Sequence, residues 1–196
     1  RRWYGNRWNI IKFDKKHYDM ITANKGHRNP QFYFQKSAVW TKITTGNFSL
    51  RISEAGFINN DASMAIYKGS VSLELIAGLL NSKVAQYYLN LVNESLNYTT
   101  GNVSSIPYIS SNDAEIEKKV NSCIDISRTD WDSFETSWDF QHHPLLRKVS
   151  TIAESFEQWQ TECDDRFNQL KANEEELNRI FIGIYGLQDE LIPDVE

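Results

Sequence analysis

Val149, Ile152, Phe156, Trp159, Cys163, Phe167 and Leu170 follow one another at steps of three and four residues. That spacing lays all seven along one side of an α-helix and predicts a long amphipathic helix over residues 146–172. A further helical run, EEELNRIFIGIYG at 174–186, ends at Gly186, a residue suited to the left-handed turn that closes a helix. A stripe this long limits what the chain can fold into. A small sheet cannot wrap it, so the helix must pair with another helix as a spacer or docking arm.

Upstream, the period changes from helical to strand-like. RWNIIKF at 7–13 alternates and reads as a strand, KKHYDMITANKG at 15–26 as a short helix closing near Gly26, and NPQFYFQK at 29–36 as a turn and short strand. SAVWTKIT at 37–44 and FSLRIS at 48–53 flank the turn signal TGN, which predicts a hairpin. SMAIYKG at 63–69 adds a strand. From residue 72 to 92, Leu73, Ile76, Leu80, Val84, Tyr87 and Leu91 recur at helical spacing, with a break expected at Gly78 or Asn81. Residues 93–113 read as a loop, Asp113 as the cap of a helix over 114–124, and 127–145 as an aromatic-rich connection bounded by Pro144. The expected fold is therefore α+β. A twisted antiparallel sheet with packed helices occupies residues 1–111, and a C-terminal helical region with one long amphipathic helix occupies 112–196.

The 196 residues are 40% hydrophobic and 24% charged, ordinary for a globular protein. No apolar run reaches the ~18–20 residues that span a bilayer, and no secretory signal is present, so the expectation is a cytoplasmic protein without a membrane association. The chain starts abruptly and without methionine, as a piece of a longer protein would. Cys123 and Cys163 lack metal-ligand spacing and read as reduced thiols. The sequons at Asn47, Asn93, Asn97 and Asn102 read as polar loop sequence.

Charge is unevenly spread. Residues 1–51 hold 11 Lys and Arg against 2 Asp and Glu; residues 52–196 hold 10 against 24. A basic start interleaved with rings, RRWYGNRWNIIKF, suits a polyanion such as nucleic acid. It equally suits an acidic protein neighbour, with Trp3 and Trp8 as packing anchors.

Convergent catalytic chemistry is missing from the sequence. There is no phosphate loop, no G-x-G-x-x-G after a strand, no C-x-x-C and no H-E-x-x-H. His142 and His143 are adjacent and point apart, and Ser104 and Ser105 have no nearby base.

Five segments then carry a resemblance. RRWYGNRWNIIKF, VWTKITTGNFSLR and LLNSKVAQYYLNLVNESLNYTTGNVSSIP stand in the order found in adenine-specific DNA methyltransferases of the Type IIG restriction class. DWDSFETSWDFQHHPL and NEEELNRIFIGIYGLQDEL look more particularly like the PglX methyltransferases of BREX phage-defence systems. In that family a domain binding S-adenosylmethionine precedes this region and carries an N-P-P-Y/F tetrapeptide. The tetrapeptide and the glycine-rich cofactor loop are absent here. The resemblance therefore implies the target recognition domain and C-terminal helices alone, with no catalysis and no cofactor of their own. It implies sequence-specific binding of double-stranded DNA, next to the methyltransferase domain of the same parent chain and possible contact with other defence-system subunits.

A reader of DNA needs cations for phosphates and polar side chains for base edges. The hairpin region offers Lys36, Lys42, Thr44, Thr45, Asn47, Ser49 and Arg51, and the opening segment adds Arg1, Arg2, Arg7 and Lys12. Asn102, in GNVSSIP, completes the candidate set, with its loop backbone as a plainer partner. Trp40, Trp131, Trp138 and Phe140 read as packing. The alternative is a protein-docking module, its basic start meeting an acidic partner and its long helix another subunit.

Overall fold

The computed structural model describes residues 1–93, 95–111 and 113–195. In chain order its elements are α1 (Lys15–Ala23), a 3-10 turn (Pro30–Phe32), β1 (Ser37–Thr41), β2 (Leu50–Ser53), β3 (Ser63–Tyr67), α2 (Leu73–Leu80), α3 (Lys83–Val92), α4 (Thr100–Ser104), α5 (Asp113–Asp132) and α6 (Ile152–Tyr185). This is the expected α+β class: one antiparallel sheet in the order β2-β1-β3, helices packed on it, and a long C-terminal helix. Among the described residues no helix is long and apolar enough to cross a membrane.

Register decides what the sheet buries. Ala38 lies opposite Ile52 and Ile66, and Trp40 opposite Leu50 and Met64. Alternate side chains share a face, and this face is the core, closed by α2. The other set, with Val39 between Arg51 and Ala65, points away from the helices.

The expected helix break falls at Asn81. Ser72 and Ser82 cap α2 and α3 by accepting from the Leu75 and Ala85 N–H groups. Between the helices the Asn81 amide turns to the sheet, accepting from Leu50 N at 2.8 Å and donating to Leu50 O at 2.9 Å. Gly78 stays helical for another reason. A Cβ there would lie 2.9 Å from the Val120 side chain, so its absence sets how closely α2 approaches α5.

Four expectations change. Residues 7–13 form no strand. The backbone that meets the outer edge of β2 is that of Trp3, through a parallel bridge to Arg51. The chain then leaves the edge at Gly5 and Asn6, both at positive φ, and a Cβ on Gly5 would sit 2.7 Å from the Trp131 ring. An alternating segment without an edge to join has no ladder for its backbone, and Trp8, Ile10 and Ile11 stay exposed. Residues 29–36 likewise make a turn, because Pro30 lacks a ladder donor and Asn29 and Phe34 are left-handed. α5 runs past 124 to Asp132, since Ser127 and Trp131 extend the buried line of Ile116, Val120, Cys123 and Ile124. α4 interrupts the expected 93–113 loop.

α6 fuses the two expected helical runs into one unbroken helix of 34 residues that begins at Ile152 and not at 146, so Val149 lies outside it; it is capped by Thr151 and closed at Gly186 with φ 66. Its stripe is fully covered toward the C-terminus and only in part before that, where Trp159 meets His143 at 5.5 Å. Leu177, Phe181 and Ile182 are buried, while Ile152, Phe156 and Phe167 are 80%, 49% and 63% exposed. The reason is length. α5 has 20 residues, so at 1.5 Å per residue α6 outruns its neighbour by about 20 Å.

Candidate nucleic-acid interface

Two groups stand out among the residues singled out from the sequence, with Arg7 and Arg51 apart from both. The first faces the chain's own acids. Arg1 pairs with Asp130 on α5, its guanidinium 5.1 Å from the Trp131 ring. Arg2 Nη1 donates to Glu174 Oε2 at 2.8 Å, and the buried Trp3 indole donates to the other oxygen of the same carboxylate at 2.5 Å. The opening segment is thereby strapped to α5 and α6. Lys36 donates to Glu74 at 2.9 Å, with Glu54 at 3.8 Å. Burial alone would lower the Lys36 ammonium, but the bond to Glu74 and the charge of Glu54 carry its pKa above the ordinary value.

Arg7 and Arg51 make no ion pair among the described residues. The Arg7 guanidinium lies 4.4 Å from the Tyr4 ring and 4.3 Å from the Phe57 ring, and donates to Tyr4 Oη and to the Ile52 carbonyl. Arg51 is 9% exposed, on the sheet face turned from the helices. Burial first, and Arg7 second, lower its pKa.

The second group stands at the hairpin tip, where residues 42–49 are pinned by neighbours. Lys42 N donates to Ala62 O, Tyr98 N to Lys42 O at 2.7 Å, and Thr44 N to Leu96 O at 3.1 Å. Phe48 N donates to the Gln86 side chain on α3 at 3.0 Å. The backbone of the tip is thus spoken for, while the side chains of Thr45 and Asn47 are exposed and those of Lys42, Thr44 and Ser49 half-buried. Thr44 Oγ1 accepts from Gly46 N, which shapes the turn. Lys42, like the exposed Lys12, has no ion pair among the described residues. Asn102 sits beside this tip in a capping box with Thr99 and donates to Val92 O at 3.4 Å, so its amide serves the loop.

Sequence reasoning did not select Ile43 and Leu96, which are 62% and 55% exposed at the same tip. Ile43 carried no signal: in a β-branched run it reads as core. Nor did it select Arg128, which lies 4.9 Å from the Tyr4 ring and pairs with Glu54 at 2.9 Å.

A recess of about 290 Å³ between the opening segment, α5 and α6 is lined by Arg1, Arg2 and Arg166 against Asp130 and Glu174, and two of these arginines are already paired with its carboxylates.

Over its whole length the chain is homologous to a segment of adenine-specific methyltransferases, as its motifs suggested. It is 38% identical over 212 aligned residues to "Adenine-specific methyltransferase PglX" of Lacticaseibacillus casei (strain Zhang), all of this chain and 18% of that protein. It is 31% identical over 199 aligned residues to "Adenine-specific methyltransferase BrxX" of Escherichia coli O9:H4 (strain HS), again all of this chain and 16% of that protein. The chain thus spans under a fifth of the length of the curated relatives it matches. No family model matches it.

Proposed function

We propose that the chain is the target-recognition part of an adenine-specific DNA methyltransferase serving restriction-modification or BREX phage defence. Residues 1–111 would bind double-stranded DNA in a sequence-specific way, and 112–196 would form the helical spacer and docking region; Asn112, at that junction, lies outside the described residues. The parent protein would bind S-adenosylmethionine in its separate methyltransferase domain, methylate adenine N6, and act in the cytoplasm, where host DNA lies. The observation that carries this reading is the hairpin tip. Its backbone is held by the 96–98 loop and by α3, while Lys42, a cation with no ion pair among the described residues, stands beside the hydroxyl and amide side chains of Thr44, Thr45 and Asn47. A rigid backbone with free polar side chains suits reading base edges.

Duplex binding by Lys42→Ala/Asn47→Ala tests it. The pair is expected to weaken binding about tenfold or more and to flatten the salt dependence by about one unit of slope. Unchanged affinity with an intact fold would remove the tip from the reading surface. The exposed Ile152, Phe156 and Phe167 favour a second role, docking of α6 against another part of the parent or another defence subunit.

A further inference from the structure

A buried guanidinium without an acceptor is expensive, and proteins seldom keep one unless something else supplies the charge. Arg51 comes close to such a group, with a covered stem and a fork that has no protein acceptor among the described residues. It leaves β2 opposite Val39, on the face away from the helices, and is 9% exposed. Among the described residues its side chain has no hydrogen bond, no ion pair and no ring contact. Its nitrogens are nevertheless not sealed, because the Trp159 indole nitrogen is the described atom that is both wholly buried and without a partner. The stem is covered and the fork still meets solvent.

A second cation, Arg7, acts on Arg51. Arg7 donates to the carbonyl of Ile52, the residue after Arg51. Tyr4 and Phe57 cover its guanidinium at 4.4 and 4.3 Å, so it offers its N–H edge. Two of its donors are used, on Tyr4 Oη and Ile52 O, which leaves others free. Arg7 lowers the Arg51 pKa, both side chains are partly desolvated, and neither has an ion pair among the described residues; Glu54 and Asp139 offset part of the charge at Arg7, and an anion at the Arg51 fork would offset the rest. Planar N–H forks match phosphate oxygens better than a point charge does.

We propose that Arg51 and Arg7 form a preformed seat for one backbone phosphate of the DNA duplex. The inference rests on the DNA-binding reading above and adds to it a site formed by the sheet and the opening segment. A phosphate held there would fix register without reading sequence.

Arg51→Met, which keeps the apolar stem and removes the charge, and Arg51→Lys, which keeps the charge and removes the fork, test the seat in the 196-residue chain. Arg51→Met should fold with a Tm equal to or above the wild type, because an uncompensated charge has gone. Both variants should bind duplex about tenfold or more weakly, and Arg51→Met should lower the salt slope by about one. Inorganic phosphate, compared with chloride at equal ionic strength, should raise the Tm of the wild type and not of Arg51→Met. Unchanged duplex affinity and slope in both variants would overturn the proposal while leaving the hairpin reading intact. If the wild type binds no duplex, the phosphate comparison still decides. A phosphate effect that depends on Arg51 keeps the anion seat, and its absence gives the arginine pair to a carboxylate of another protein.

Discussion

Glu174 accepts from two donors at once, Arg2 Nη1 and the Trp3 indole, and its side chain is 12% exposed. Removing it leaves a buried N–H and a guanidinium without acceptors. Glu174→Ala should therefore cost about 2 kcal/mol in urea unfolding, the solvent-exposed side of Arg2 holding the figure down; a midpoint equal to the wild type would show that the strap contributes nothing. The thiols make a second residue-scale test. Burial first, and the nearby Glu174 second, push the Cys123 pKa up to about 12, and the side chain is inaccessible. Only the thiolate reacts. In native protein at neutral pH an alkylating agent should label Cys163, which is half-buried, and spare Cys123 until unfolding. Early labelling of Cys123, read by mass spectrometry, would contradict the packing of α5.

Elements were legible where periodicity and a partner coincide. The hairpin of β1 and β2 shows in its alternation and the TGN turn, and α2 and α3 show in their stripe and their break at Asn81. RWNIIKF alternates as well as either strand, yet takes no ladder, because Trp3 already occupies the edge and Gly5 turns the chain away. Pairing is a property of neighbours that alternation alone does not carry. α6 shows the same limit on a helix. Its stripe holds from Ile152 onward, with Val149 left outside the helix, but what covers it depends on the length of α5. Two substitutions separate the halves: Phe181→Ala should cost about 3–4 kcal/mol, and Phe156→Ser within about 1 kcal/mol. Equal losses in chemical denaturation would mean that the N-terminal half of α6 is buried after all.

At the scale of the molecule, the charge asymmetry resolves partly inside the chain. Arg1 meets Asp130, Arg2 meets Glu174 and Lys36 meets Glu74, so part of the basic start serves the acidic remainder. A count of charges cannot tell a cation that straps two segments together from one that waits for a partner; the distances can. Of the candidate cations, Lys12, Lys42, Arg7 and Arg51 make no ion pair among the described residues, and they are the smaller set on which DNA binding would rest. The residue types of that set were visible in the sequence, while the division was not, because Asp130 and Glu174 lie more than a hundred residues from the arginines they hold. The most direct measurement is selection from a randomised duplex pool by the 196-residue chain at two salt concentrations, with sequencing of the bound fraction. The account predicts enrichment of one short adenine-containing motif and an affinity that falls steeply with log salt. Binding without enrichment, or none at low salt, would contradict target recognition by this chain.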